Sequence, residues 1–419
     1  MATQPAPTGF ASITRDQERT LVAAALGWML DAFDVMLYAL VLTHIMRDLG
    51  MTKATAGGLA TLTLLASGIG GVLFGSIADR IGRKHALMLS ILTYSICSFA
   101  SGFAPTVAVL ALFRFVLGLG MGGEWNTGAT LVAETWPTHL RAKAIALVQS
   151  SWAIGYAAAA VVAWSVLALF HNNWRFVFFV GVLPALVTLW IRKDVPESEM
   201  WKEHRRADSD GSEPPRAGFS EIFSPKYLSK TTALFFLNFF GMFGWWGLFT
   251  WVPSFLSSPI AEGGRGFDPR QMTIMLVVLN LVGMLPGYAS FGWVADHLGR
   301  KKSFILYTAM AALLVPLYAR LQDPTTLLFL GIPVAFFGTG FFSGSGIIGS
   351  EIFPTSVRAR ALGFTYNGAR TLSSAAPFVI GYVAQSRGLG GAFFLCAASF
   401  FLAALVATQL PETKGKHLE

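Results

Sequence analysis

From Thr20 to Leu410 the chain is a succession of long apolar runs separated by short polar breaks. The stretch from Ala56 to Ala78 is typical, staying uncharged until Asp79. Most runs meet the roughly 20 apolar residues that a bilayer-spanning helix requires. Dividing the chain at its polar and charged clusters predicts twelve helices, near 20–45, 56–78, 86–104, 107–132, 143–169, 174–192, 230–256, 270–294, 303–320, 325–349, 360–385 and 390–410. Six fall on each side of one long polar segment. The predicted fold is therefore an all-α membrane protein, organised as a tail (1–19), a six-helix bundle (20–192), a linker (193–229), a second six-helix bundle (230–410) and a tail (411–419).

The pattern repeats. Asp79, Arg83, Glu134 and Arg141 are matched by Asp296, Arg300, Glu351 and Arg358, each pair 217 residues apart. A repeat that keeps its spacing over half a chain means two copies of one unit. In an apolar chain, paired halves point to a transporter with its binding site between them.

Composition agrees: 13% of residues are charged, against about 25% in soluble domains. The net charge of +8 calls for no nucleic-acid partner, because it is distributed by topology. Seven of the 31 Lys and Arg (Arg47, Lys53, Arg175, Arg265, Arg270, Arg320, Arg387) fall on one side of the predicted membrane. Two lie inside helices, and the remaining 22 fall on the side of the termini. The positive-inside rule then predicts both termini in the cytoplasm. The first 18 residues are polar, with no apolar core of a cleavable signal, so the first helix is expected to stay as an anchor. Cys97 and Cys396 lie in apolar helices and read as packing residues. The linker, charge-rich from Glu197 to Pro215, reads as solvated surface with a short amphipathic helix around Glu197–Arg206.

Gly75-Ser76-Ile77-Ala78-Asp79-Arg80-Ile81-Gly82-Arg83-Lys84 and its copy Gly292–Lys301, with His297 at the place of Arg80, share the form Gly-x3-Asp-x2-Gly-Arg-Lys. Gly75 reads as a point of close helix approach, Gly82 as a tight turn, and the basic pair as an inside anchor. Here the chain resembles the major facilitator superfamily across essentially its whole length. Glu-x2-Pro-x3-Arg after helices four and ten, Pro196-Glu197-Ser198 after helix six, and Pro411-Glu412-Thr413 after helix twelve carry the same resemblance. The resemblance implies that Asp79, Arg83, Glu134, Arg141, Asp296, Arg300, Glu351 and Arg358 form a cytoplasmic gate. That latch would close the outward-facing state and break when the transporter opens inward.

Five ionisable residues fall within predicted helices: Asp31, Asp34, Arg114, Glu124 and Arg370. Intramembrane charge is expensive and marks a partner or a water-filled path. Arg370 lies ten residues past Arg360, about 15 Å along the helix and near the bilayer midplane. Tyr366, Asn367 and Ser374 share its face, and a planar fork suits a carboxylate. Asp31 and Asp34 are three apart, with Tyr38 one turn on. Two close carboxyls in low dielectric resist double ionisation, so one is expected to hold a proton. Arg114 opens Arg114-x3-Gly118-x-Gly120-x-Gly122-Gly123-Glu124, a glycine run for close helix packing. Trp28 to Asp34 and Gly363 to Pro377 resemble helices one and eleven of acid–proton members of the superfamily. That resemblance implies proton coupling at Asp31 and Asp34 and substrate contact at Arg370. The Arg114 run resembles the superfamily's helix-four motif, which implies a part in proton movement for Arg114. Glu124 reads either as a proton relay or as the compensating charge of Arg114.

Gln149, Asn238 and Asn280 are weaker candidates for contact with a bound acid, each equally readable as an interhelical hydrogen bond. Trp251 reads as an interface anchor and His44 as a bystander, while Trp245 and Trp246 could wall an apolar pocket. No metal cluster, nucleophile elbow or phosphate-binding loop is present in the sequence, so an enzyme and ATP drive are disfavoured. Helix seven lacks the Gln-rich stretch of sugar porters, and helix five has Gly155-Tyr156 where drug antiporters carry Gly-Pro. The expectation is a monomeric, multi-pass protein of the plasma membrane, such as a bacterial inner membrane, that needs no cofactor. It would import a small organic monocarboxylate with a proton as coupling ion. An aromatic- or sugar-acid carrier, or an uncoupled organic-anion exchanger, is the nearest alternative, and a transporter-like receptor a remote one.

Overall fold

A computed structural model describes residues 13–202 and 219–414. The middle of the linker from Glu203 to Gly218, the second part of the expected Glu197–Arg206 helix, and the outer ends of both tails lie outside the described residues. Helix α1 runs Arg15–Asp48, α2 Lys53–Ile81, α3 Arg83–Ser101, α4 Val107–Thr135, α5 Thr138–Leu169 and α6 Arg175–Asp194. The second half holds α7 at Leu228–Ser257, α8 at Pro269–Leu298, α9 at Arg300–Arg320 and α10 at Pro324–Ile352. It ends with α11 at 355–387 and α12 at 389–407, parted at Gly388, whose φ is 66°. Among the described residues ten stretches are long and apolar enough to cross a membrane, with α11 and α12 counted as one and α3 left out. Separating the former and adding α3 gives the twelve crossings.

Helix ends extend beyond the apolar runs because water-facing turns are stabilised by capping rather than by hydrophobicity. α1 starts at Arg15 through a capping box in which Thr14 and Gln17 exchange side-chain and backbone bonds. At the same end, Arg83 N and Lys84 N donate to Glu197 at 2.9 and 3.2 Å, while Arg300 N donates to Glu412 at 2.8 Å. The two Pro-Glu motifs thus place a carboxylate on the exposed amides, and the positive dipole end, of α3 and α9. Gly82 and Gly299, at φ 98° and 99°, make the turns that expose those amides. Burial works against the charged form of Glu412. Donation from the backbones of Lys414, Arg300, Thr413 and Lys301 outweighs it and holds that carboxyl below its ordinary value. Gly75, expected to permit close helix approach, faces open space: a side chain there would meet no atom within 4 Å. The close approach is instead between α2 and α4, where Gly122 lies against the Ser67 backbone.

α2 and α4, and α1 and α5, pack extensively in the first half, as do α7 with α11–α12 and α9 with α12 in the second. The halves meet along α2 against α11 and α5 against α8. We call the face with Arg15, Gly82, Gly299 and Lys414 the terminal face. Toward the opposite face the halves are hydrogen-bonded to one another. Phe378 N donates to Thr61 Oγ1 at 3.2 Å, Lys53 Nζ to Glu262 O at 3.4 Å, and Tyr156 Oη to Phe249 O at 3.1 Å.

Candidate functional site

Two π-helical turns interrupt the second half at the level of the seam, Leu279–Met284 in α8 and Phe364–Gly368 in α11. Such wide turns re-aim side chains. The second lies immediately before Arg370 and contains Tyr366. Both side chains line a small cavity between the halves. The first half contributes Trp28, Gln149 and Trp152, and the second adds Trp245, Trp246 and Tyr288, with Met242 and Phe342 behind.

The wall is mostly aromatic. Trp28 lies 4.5 Å from Trp125 and 4.8 Å from Trp152, ring centre to ring centre. Trp152 reaches across the seam to Trp245 and Trp246 at 5.9 and 5.8 Å, and Trp125 stacks with Tyr366 at 6.2 Å. The Arg370 guanidinium lies 5.8 Å from the Trp28 ring. Gln149, Tyr288 and Tyr366 supply the neutral polar groups, the amide facing both hydroxyls.

The five intramembrane charges are all buried, none more than 5% exposed. None of them forms an ion pair within 4.0 Å among the described residues. Arg370 Nη2, Arg114 Nε and Nη1, both Asp31 oxygens, Asp34 Oδ2 and Glu124 Oε2 have no hydrogen-bond partner. Buried polar atoms are almost always bonded, so this concentration of unmade bonds marks a site rather than a scaffold. Asp31 is central: the charges of Arg370 and Arg114 both act on it, and its own acts on Glu124. Asp34 turns away from the seam and accepts from Ser98 Oγ at 3.1 Å. Glu124 Oε1 lies against Gly27 of α1.

The structure brings Arg370, Tyr366 and Gln149 to one cavity. Tyr38 and Arg114 line a second cavity nearer the opposite face, with the Tyr38 hydroxyl donating to Ala56 O at 2.8 Å. Asn238 lies elsewhere, donating to Thr365 O at 3.1 Å and accepting from Ser345 at 2.5 Å, so its amide ties α7 to α11 and α10. Asn280 donates to Leu276 O at 2.8 Å within its own helix. Asn367 lines neither cavity. Its carbonyl accepts from Thr371 at 2.9 Å. Trp28, Trp125, Trp152 and Tyr288 were not singled out from sequence. A usable signal exists for the tryptophans: each lies within one helical turn of Asp31, Glu124 or Gln149.

On the terminal face the repeated charges form two matching networks. Arg83 pairs with Asp79 at 2.6 Å and Glu134 at 3.2 Å. Arg300 pairs with Asp296 at 2.8 Å and Glu351 at 2.9 Å. These ion pairs each stay within one half. Arg141 Nε has no partner, and Arg358 Nε donates to Phe353 O at 3.1 Å.

The Major Facilitator Superfamily model matches residues 24–261 and 257–418. The chain is 34% identical to a probable 4-methylmuconolactone transporter of Cupriavidus pinatubonensis, over 96% of this chain and 92% of that one. It is 32% identical to a sialic acid transporter of Escherichia coli, over 96% of each. Its fold matches the partially occluded, inward-open xylose transporter XylE of E. coli with a TM-score of 0.77. That match has 18% identity and covers 97% of this chain and all of the other.

Proposed function

This chain belongs to the major facilitator superfamily and is a multi-pass membrane transporter of the plasma membrane, and on that premise we propose that it imports a small planar monocarboxylate together with a proton. The observation that carries the reading is Arg370. It is a buried guanidinium with an unmade bond, on the wall of a seam cavity whose remaining surface is mostly aromatic, with Gln149 and Met242 among the rings. A carboxylate would pair with the fork while its flat body packs among Trp28, Trp152, Trp245 and Trp246. A sugar acid needs several ring hydroxyls satisfied, and only Gln149, Tyr288 and Tyr366 are available, which favours the flat acid.

Charge counting supports proton coupling. Arg114 and Arg370 stay cationic, so the three buried carboxyls make a neutral site only when they share one proton. A bound monocarboxylate raises that number to two. Occluding net charge in low dielectric is costly, so each acid enters with one proton and the cycle is electroneutral. Asp31, acted on by both guanidiniums, takes that proton as the substrate replaces it at Arg370, with Glu124 and Asp34 as the other holders. The terminal face is then cytoplasmic. Its Arg83 and Arg300 networks re-pair across the halves when the opposite face opens, closing the path inward.

A thermal-shift screen of the purified protein at pH 5.5 and 7.5 against benzoate, nicotinate, lactate and gluconate tests this directly. Benzoate or nicotinate should raise Tm more than the other two, and more at the lower pH. Stabilisation by gluconate alone, or by no acid at all, would overturn it.

A further inference from the structure

Tyr94 of α3 is fully buried and lines neither cavity. Its hydroxyl donates to Gly27 O of α1 at 3.4 Å, a long bond that holds the group lightly. Gly27 is also the residue that Glu124 Oε1 of α4 lies against. A phenol from α3 and a carboxyl from α4 therefore reach the same residue of α1. Gly27, Asp31 and Asp34 stand at i, i+4 and i+7, on one face of that helix. One turn beyond Tyr94, Ser98 donates to Asp34, so α1 and α3 run polar groups side by side. Gly120, one turn before Glu124, permits the close approach of α3 and α4. A side chain there would meet Tyr94 N at 2.8 Å and its Cβ at 3.1 Å.

Three carboxyls surround this hydroxyl: the charges of Glu124 from α4 and of Asp31 and Asp34 from α1 all act on it. The α6 side chains of the same cluster, Val187 and Ile191, are apolar. Glu124 Oε2 and both Asp31 oxygens are open, so no hydrogen bond joins those two carboxyls directly. A hydroxyl both donates and accepts, which is what a link between them requires. We propose that Tyr94 is the relay that moves the transported proton between Glu124 and Asp31. The phenol oxygen takes the proton of the Glu124 carboxyl as it gives its own to the Asp31 carboxylate. One O–H bond forms and one breaks at the phenol, which stays neutral. Glu124 ends ionised and Asp31 protonated, and the reverse transfer resets them. The relay rests on the proton coupling proposed above. It keeps the proton's path, between α1, α3 and α4, apart from the acid's path between the halves.

The test separates net proton movement from exchange. Full-chain protein in proteoliposomes takes up radiolabelled benzoate either down an inside-alkaline pH gradient or by counterflow against internal benzoate at equal pH. Counterflow needs no proton to leave the carrier. Tyr94→Phe keeps the ring and removes the hydroxyl, so gradient-driven uptake should fall about tenfold or more while counterflow and benzoate Kd stay within about twofold. Tyr94→Met also lacks the hydroxyl, fills the space flexibly, and gives the same readout if Tyr94→Phe does not fold. Gradient-driven uptake retained within about twofold in either variant would overturn the relay. So would an equal fall in driven uptake and counterflow, which a merely structural role produces. If the unaltered protein ignores the pH gradient, the proton coupling proposed above fails and the relay fails with it; driven uptake in the unaltered protein that survives loss of the hydroxyl sinks the relay alone.

Discussion

Replacing Arg370 separates a binding role from a structural one, because the two roles predict opposite changes in the same protein. The side chain is buried, and Nη2 makes no bond. Removing a buried cation without a close partner relieves a desolvation cost, so Arg370→Gln without ligand should keep its Tm or gain a few degrees. Ligand affinity should fall steeply. A carboxylate held by the fork makes two charge-assisted hydrogen bonds, each worth about 1.5–3 kcal/mol, so their joint loss weakens binding by about 3–6 kcal/mol. At 1.4 kcal/mol per decade that is on the order of a hundredfold to ten-thousandfold in Kd. Arg370→Lys keeps the charge but one contact, and should lose roughly ten- to a hundredfold. Benzoate titrations followed by calorimetry at a fixed pH, with Tm measured on the same samples, give both quantities. A Gln variant that binds benzoate within threefold of the original, or whose unliganded Tm drops sharply, would refute the assignment.

Gly27→Ala should place a methyl group against Glu124, 3.2 Å from Cδ. Pushing this flexible carboxylate aside should cost little stability but lower uptake driven by a pH gradient at least tenfold, while counterflow exchange persists. Gly57 lies against the backbone of Pro377 where α2 meets α11. Gly57→Val should wedge that seam and raise thiol labelling of a cysteine placed at Thr250, compared with the same cysteine alone. Gly122→Val at the α2–α4 contact should abolish folded expression, whereas Gly75→Ala should be neutral in Tm. The carboxyl of Glu412 is held below its ordinary value of 4.5. Its contribution is present above pH 4.5 and lost as pH falls through the lower folded value, so Glu412→Gln should lower Tm at pH 7 and flatten the acid limb.

Twelve crossings, two halves and five buried charges were legible in the sequence because lipid penalises charge and unsatisfied backbone so heavily that violations stand out. Helix ends were less legible. The Thr14–Gln17 cap and the Glu197 and Glu412 caps stabilise turns beyond the apolar runs that marked the helices. The amides show the limit most clearly. Gln149, Asn238 and Asn280 look alike as single polar residues in apolar helices, yet Gln149 lines the cavity while Asn238 bonds between helices. That choice depends on helix rotation and on the π-turn before Arg370, neither of which hydrophobic pattern encodes. The first half's share of the tryptophan wall was missed for a related reason: Trp28, Trp125 and Trp152 lie on three different helices, α1, α4 and α5, and meet only when those helices pack.

The central claim is that acid and proton move together in equal number without net charge. Purified protein in sealed proteoliposomes, given radiolabelled benzoate outside and an inside-alkaline pH gradient, should accumulate it above equilibrium, and accumulation should be unchanged when a potassium–valinomycin potential of either sign is imposed. Protein-dependent uptake that ignores the pH gradient, or that follows the membrane potential, would contradict it.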